Sequence, residues 1–493
     1  MAFLLLSSGF FLGWSLGAND GGNIFGTAVT TRMLRFNFAA VIASIFVILG
    51  AVFQGTGATQ TISSLGAINE ISGSFTVAIA AALSLFLMLK IKIPVSSSQA
   101  VVGAILGWNL FSSYFTDSNT LIKIVSTWFI TPVLSAGLSI LFFYFFKMFF
   151  KKKSISLLYL DYYTRIGFII LIAFSAYSLG ANNIANVMGM FVKSSPFTPI
   201  TLFNKITITG FMQLFFLGGL SIAAGILTKS NHNVQTVGKT IFKMSPMTGF
   251  IAILSSSIVL FMFSSKTLQI FLVKLHFPTL PLVPVSSSQA IVGAIIGLGI
   301  AKGAKNIQYK NFFKITLGWI ANPILAGIIC FISLFFMQNV FDQNVFQPTK
   351  YVYSVKVMNK LKYTKINIDK LSIINGKTFY SSKQLKEELD KIPNLSFNTK
   401  TKVANYGKYK PMFVSQKALT IIKNRNYYSE LMFSPLLILS NYHFEYEWEL
   451  VEALSELSPL WQYKPQRLKN DFYNSELDTN YNLLYDLFKI EEK

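Results

Sequence analysis

In GANDGGN, Gly17–Asn23, one carboxylate and two carboxamides follow sixteen largely apolar residues. A lone carboxylate at the centre of a membrane span costs about 2.5–3.5 kcal/mol on insertion scales, so Asp20 has to be ion-bound, paired or protonated. A related stretch, GANNIAN, supplies Asn182, Asn183 and Asn186. Together with Asn19, Asp20 and Asn23 they make an all-oxygen donor set, without sulfur or imidazole, that suits a hard monovalent cation. The glycines predict an unwound backbone whose carbonyls add to the ligands. The blander alternative is a helix end at which Asp20 reaches the headgroup layer.

A second polar motif suits the opposite charge. PVSSSQ occurs twice, with Ser97, Ser98 and Gln99 in one copy and Ser287, Ser288 and Gln289 in the other. Proline opens a helix readily because its missing N–H has no partner there, and serine oxygens cap the first turn. Such a half-helix begins inside the membrane and presents free N–H groups and about half a positive charge, to which the hydroxyls and the glutamine amide add donors. Two of them facing each other would surround a small tetrahedral oxyanion. The alternative is that the serines bond back to carbonyls of their own kinked helix.

These motifs need elements that cross a membrane. Apolar runs long enough to do so recur at 36–53, 74–89, 121–146, 164–179, 200–227, 247–264 and 311–337. Segments 1–17, 97–111, 184–192 and 289–301 are too short or too Gly/Ser-interrupted for ordinary spans and read as broken or re-entrant helices.

The motifs come in pairs. PVSSSQAVVGAILG, Pro94–Gly107, returns as PVSSSQAIVGAIIG, Pro284–Gly297, identical at 12 of 14 positions. GANDGGNIFG, Gly17–Gly26, returns as GANNIANVMG, Gly180–Gly189, at five of ten. The offsets are 190 and 163 residues, so the second half holds 27 extra residues, expected in the loop Leu227–Thr240. Two such halves in one chain point to a transporter whose substrate lies between the repeats near the midplane.

The expected fold is an all-α polytopic membrane protein with two inverted repeats and broken or re-entrant helices, followed by a small α+β soluble C-terminal domain. Residues 1–146 form repeat 1, 147–163 a basic linker, 164–344 repeat 2, and 345–493 the C-terminal domain. If the linker is cytoplasmic and the halves are inverted, both termini lie outside.

Composition agrees. The 493 residues are 52% hydrophobic, and only Asp20, Glu70, Asp117, Asp161 and Asp342 of the 21 acidic residues precede residue 345. The net charge of +22 comes, in the first 344 residues, from Lys and Arg at the ends of apolar runs, such as Lys147 and Lys151–Lys153. That is positive-inside anchoring to a lipid bilayer, and no basic face with interleaved aromatics suggests nucleic acid. Cys330 is the only cysteine, which excludes disulfides and thiolate metal sites within the chain.

GANDGGNIFGTAV, GANNIANVMG and the paired PVSSSQ-A-x-VGAI-x-G together resemble the signatures of the inorganic phosphate transporter (PiT) family. TVGKTIFKMSPMTGF, Thr236–Phe250, is similar to a further stretch near that family's second repeat. The resemblance covers roughly residues 1–340. It implies an inverted-repeat secondary transporter that moves phosphate with sodium in some members and protons in others, while some relatives carry sulfate. The phosphate contacts would fall on Ser97, Ser98, Gln99, Ser287, Ser288 and Gln289. The sodium contacts would fall on Asn19, Asp20, Asn23, Asn182, Asn183 and Asn186. Two positions depart from the family: it usually has aspartate where Asn183 stands, and commonly glutamate where TQTI carries Gln60. Each change removes a negative charge and bears on the number of coupled ions.

After Gln347 the chain turns lysine- and tyrosine-rich, with 22 basic and 16 acidic residues. KYVYSVKV and KYTKINI alternate like strands, LSIINGKTFY carries an Asn-Gly hairpin signal, and SSKQLKEELDKI reads as a helix capped by Ser381 with Gln384 in the capping box. Phe444–Leu457 is a second helix candidate. No metal cluster, nucleophile triad or phosphate loop is visible, so no organic cofactor is expected and the tail's partner is unknown.

The leading reading is a membrane symporter of inorganic phosphate coupled to sodium or protons, in the cytoplasmic membrane if the source is bacterial; the layout also allows a homodimer. Sulfate is the alternative substrate. A non-transporting sensor with a degenerate core is the alternative class. An enzyme fits least, because Asp20 alone among the membrane-embedded motif residues can serve as acid or base.

Overall fold

The computed structural model describes residues 2–66, 68–91, 95–151, 156–197, 200–202, 206–230, 244–277, 279–303, 309–363, 369–393, 395–424, 427–465 and 470–490. Outside them lie Pro94, the second half of the loop expected to hold the insertion, the first half of the TVGKTIFKMSPMTGF stretch, residues 152–155 of the basic linker and most of KYTKINI. The chain forms two compact units: Met1–Phe111, Thr116–Leu268 and Pro281–Gln347 make the first, and Ser112–Phe115, Gln269–Leu280 and Pro348–Lys493 the second.

Among the described residues of the first unit, seven helices are long and apolar enough to cross a membrane: Phe36–Gln54, Ile71–Lys90, Ser118–Phe149, Asp161–Phe191, Gly210–Lys229, Pro246–Ser264 and Phe313–Asn339. They match the seven apolar runs, with one exception. The run at 200–227 opens with a hairpin in which Ile200–Leu202 pairs antiparallel with Ile206–Ile208. Its helix starts only at Gly210, where the Thr209 side chain accepts from the Met212 N–H. Ser245 opens Pro246–Ser264 as half of a capping box with Thr248.

Several expectations are corrected. Ser7–Thr30 is one continuous helix through GANDGGN, and Leu157–Met188 is continuous through GANNIAN, ending in a 3-10 turn at Gly189–Phe191. Neither backbone is unwound, so the motif's oxygens are side chains on a helix face. The glycines serve packing instead. A Cβ at Gly17 would meet the Ile222 carbonyl and one at Gly225 the Trp14 carbonyl; Gly180 and Gly50 stand likewise against Val47 and Tyr177. Small residues let backbones come this close where lipid offers no hydrophobic drive for helix association. Every one of these contacts joins a helix of one half to a helix of the other.

The basic linker also shrinks, because one helix runs to Lys151 and the next begins at Leu157. The insertion lies elsewhere than expected. The interval from Lys229 to Pro246 is as long as that from Gln54 to Ile71, and the extra residues sit between Met188 and Gly210 and between Ser264 and Ser287.

The half-helices are confirmed as Ser97–Phe111 and Ser287–Ala301, each buried along nearly its whole length. They begin at the second serine of the motif, three residues after the proline, so the first serine is the cap. Ser96 Oγ accepts from the Gln99 N–H at 3.3 Å and Ser286 Oγ from the Gln289 N–H at 3.2 Å. Gly103 packs on the carbonyl of Pro323 inside Tyr309–Asn339, and Gly293 on that of Pro132 inside Ser118–Lys151. We expect Gly103→Ala to cost about 1–3 kcal/mol through overpacking, whereas Gly137→Ala, with nothing within 4 Å, should be neutral or stabilising. Melting of the two variants in detergent checks the contrast.

The second unit differs from its sequence reading. In KYVYSVKV only Tyr351–Val352 is strand, and Val355–Tyr363 is helix. LSII forms a 3-10 turn, and Thr378–Phe379 pairs with Tyr351–Val352 rather than closing an Asn-Gly hairpin. The helix Ser382–Asp390 is capped as expected by Ser381, with Gln384 Oε1 accepting from the Tyr380 N–H at 3.0 Å.

This arrangement occurs twice. Met412–Phe413 pairs with His443–Phe444 as Tyr351–Val352 does with Thr378–Phe379. Gly376 N–H donates to Tyr353 O, and Asn441 N–H to Val414 O, both at 2.9 Å. Both turn residues have positive φ, +71° and +66°, which glycine and asparagine tolerate best. Glu449 caps Glu447–Leu457 from the position Gln384 holds in the first copy. Each copy has its own core, one around Tyr353, Leu361 and Leu385 and the other around Leu419, Leu450 and Leu484.

Candidate functional site

The helices Ser7–Thr30 and Leu157–Met188 carry the six Asn and Asp candidates, the two half-helices carry the Ser and Gln candidates, and all twelve are buried. Asp20 is the only ionisable group among them. Its Oδ1 accepts from Asn19 Nδ2 at 2.9 Å and Asn23 Nδ2 at 3.3 Å. Its Oδ2 accepts from Asn183 Nδ2 at 2.7 Å and Ser97 Oγ at 3.4 Å. With the Ser287 hydroxyl, which also bonds to this carboxylate, the donors fill its roughly four acceptor positions. The charge is spread over neutral amides and hydroxyls drawn from four helices and both halves.

The remaining bonds are reciprocal. Asn19 Nδ2 donates to the Val95 carbonyl at 3.0 Å and Asn182 Nδ2 to the Val285 carbonyl at 2.8 Å. Ser98 Oγ donates to Val285 O at 3.1 Å and Ser288 Oγ to Val95 O at 3.0 Å. Asn186 Nδ2 donates to Ser98 Oγ at 3.1 Å, and Asn23 Nδ2 to Ser287 Oγ and Ser288 Oγ at 3.3 and 3.4 Å. Exchanging residues for their counterparts 163 or 190 positions away turns Asn19–Val95 into Asn182–Val285, Ser98–Val285 into Ser288–Val95, and Asn23–Ser288 into Asn186–Ser98.

The residues expected to meet a cation and those expected to meet an anion lie in one hydrogen-bonded cluster. Ser98 and Ser288 bond to the backbone of the opposite motif and not to carbonyls of their own helix, so the alternative reading of serines in a kinked helix does not hold for these two. Gln99 and Gln289 are less engaged: their Oε1 atoms, like Asn186 Oδ1, are buried and have no hydrogen-bond partner among the described residues. Buried acceptors of this kind call for a donor or a cation. Gln60 stands half-buried on the helix Thr56–Gly66.

The sequence reading gave the caps to the serines of PVSSSQ without singling out Ser96 and Ser286, and it missed Asn322, whose Nδ2 donates to the Ser96 carbonyl at 2.8 Å. A signal for the last was present. WFITP, Trp128–Pro132, returns as WIANP, Trp319–Pro323, at an offset of 191, one more than that of PVSSSQ.

Comparison with known proteins agrees with this architecture. A protein of Methanocaldococcus jannaschii named as an inferred phosphate permease is 28% identical over 325 residues, 66% of this chain and 93% of that protein. The sulfate permease CysP of Bacillus subtilis is 30% identical over 335 residues, 66% of this chain and 85% of that protein. A solved structure of the sodium-dependent phosphate transporter superposes with a TM-score of 0.52 at 21% identity, covering 68% of this chain and 99% of that one, a likeness of fold. The family model for the phosphate transporter family matches residues 16–272 and 267–442, reaching past the extent of the motif resemblance. With seven apolar helices and a family match over most of its length, this chain is a multi-pass membrane protein that belongs to the phosphate transporter family.

Proposed function

We propose that the chain is a symporter of inorganic phosphate, coupled to sodium or protons, that works by alternating access between two inverted repeats in the cell membrane. The observation that carries this reading is the reciprocal crossing of the half-helix starts, Ser98 on Val285 O and Ser288 on Val95 O. Two helix N-termini brought together in this way offer an anion donors from both halves without a lysine or arginine. An oxyanion entering there takes the hydroxyl protons now held by the two valine carbonyls. Asp20 supplies the counter-charge for a cation travelling with it. Transport is assigned to the first unit, which contains every residue of the cluster.

Counterflow of labelled phosphate in vesicles, with and without a sodium or proton gradient, tests the reading. Exchange that a gradient accelerates is the expected result; binding without exchange would leave a sensor. Sulfate is the second reading, favoured by the identity to the B. subtilis sulfate permease, and labelled sulfate in the same vesicles separates the two.

Asn183 bears on stoichiometry. Its amide donates to Asp20 Oδ2 at 2.7 Å, where a second carboxylate would instead require a cation between the two. Asn183→Asp is therefore expected to add one coupled cation per anion, read as a steeper dependence of flux on sodium or proton concentration. An unchanged slope would remove Asn183 from the coupling site.

A further inference from the structure

We propose that Asn322 is a positioning residue that locks the first half-helix, Ser97–Phe111, to the helix Tyr309–Asn339, and that the second half-helix has no such lock. The anion site would then have one fixed side and one movable side. The proposal rests on the reading of the half-helix starts as the anion site.

Asn322 is fully buried, and both ends of its amide are engaged. Nδ2 donates to the Ser96 carbonyl at 2.8 Å, while Oδ1 accepts from Ser84 Oγ at 2.7 Å. Ser84 also donates to the Asn322 carbonyl at 3.2 Å, so the amide's orientation is fixed from a third helix, Ile71–Lys90. The group it holds is a decisive one. Ser96 is the cap of the half-helix: its carbonyl also accepts from the Ala100 N–H at 3.3 Å and its hydroxyl from the Gln99 N–H. Fixing this one peptide fixes where Ser97, Ser98 and Gln99 begin. The next residue, Pro323, lies against Gly103, about two turns beyond Ser96, so bond and packing act on the same helix pair.

The other half repeats the packing but not the bond. Gly293 lies against Pro132 as Gly103 does against Pro323. The residue before Pro132 is Thr131, whose buried Oγ1 has no hydrogen-bond partner among the described residues. A threonine side chain is shorter than asparagine's and cannot offer the two-ended amide clamp. The Ser287 half-helix is thus held to its partner helix by packing where the Ser97 half-helix is held by packing and a bond. In a cycle that exposes the site alternately to each side, the weaker attachment yields first.

Hydrogen exchange on the full-length protein in detergent tests this without any substrate. The amides of residues 99–103 are expected to exchange about tenfold more slowly than those of 289–293, the difference made by one buried hydrogen bond. Asn322→Thr, which copies the second half, should abolish that difference. Ser84→Ala, which frees the amide with little change in volume, should reduce it, and Thr131→Asn should slow exchange at 289–293. In vesicles, Asn322→Thr should raise the KM for inorganic phosphate about tenfold with Vmax little changed, whereas a merely destabilised protein loses Vmax. Equal exchange of the two half-helices in the unmodified protein would overturn the proposal, as would an Asn322→Thr variant with altered exchange and an unchanged KM. If the unmodified protein does not exchange phosphate at all, the transport reading fails, and the comparison of the half-helices still decides whether Asn322 is a lock.

Discussion

Asp20→Asn is expected to abolish gradient-driven uptake while leaving the protein folded. Side-chain donors converge on this carboxylate from Asn19, Asn23, Ser97, Asn183 and Ser287. Hydrogen bonds to a charged acceptor are each worth about 1.5–3 kcal/mol. An asparagine there presents one oxygen and one NH2, and whichever way it turns, the NH2 faces donors that are left without an acceptor. The mismatch adds a cost of about 1–3 kcal/mol for each buried group left without a partner. The larger loss is electrostatic, since no other acidic residue belongs to the cluster and a cation entering it has only neutral oxygens to meet. Uptake driven by a sodium or proton gradient should fall at least about tenfold, one lost charged bond being enough for that. Counterflow, which needs no gradient, should be the less affected of the two. Initial rates in vesicles check this; an undiminished response to the gradient would move the coupling site away from Asp20.

How much of this was legible depended on the kind of signal. The spans could be read because lipid demands about twenty apolar residues in a row, and the half-helices because PVSSSQ occurs twice with a helical start signature. The glycines of GANDGGN misled. Glycine inside a helix costs roughly 1 kcal/mol, which predicts unwinding unless something offsets it. The offset is the approach of Gly17 to the Ile222 carbonyl and of Gly180 to the Val47 carbonyl, a tertiary effect that no local reading contains. The clustering of cation and anion candidates was hidden for the same reason. Asn23 reaches Ser288 across 265 residues, a distance that periodicity does not span. Asn322 was one residue before a proline in a weakly repeated motif. In the tail, alternation over Lys350–Val357 suggested a strand, but Val355–Tyr363 has apolar positions Val357, Met358 and Leu361 on one helical face, and burial of that face won. The internal duplication there escaped because it is carried by turn geometry and strand pairing more than by residue identity.

The second large effect is the joint one of Ser98 and Ser288. Each hydroxyl donates to the valine carbonyl that precedes the other's half-helix, at 3.1 and 3.0 Å, and each accepts from an asparagine on the helix of the opposite half. Neither can therefore change partners without a response from the other motif. An anion bound between them takes one donor from each side. Ser98→Ala or Ser288→Ala alone should weaken phosphate binding by about 1.5–3 kcal/mol, the worth of a hydrogen bond to a charged group. With one side already weakened the anion shifts toward the other, so the two losses are not independent.

The most direct measurement is a double-mutant cycle on phosphate affinity with Ser98→Ala, Ser288→Ala and both together, using binding to the purified protein at fixed sodium concentration and pH. One shared site predicts that the double variant loses less than the sum of the single losses, with an interaction energy of at least about 0.5 kcal/mol. Losses that add within about 0.3 kcal/mol, or a pair of variants that bind phosphate as the unmodified protein does, would mean that the two half-helices do not form one anion site.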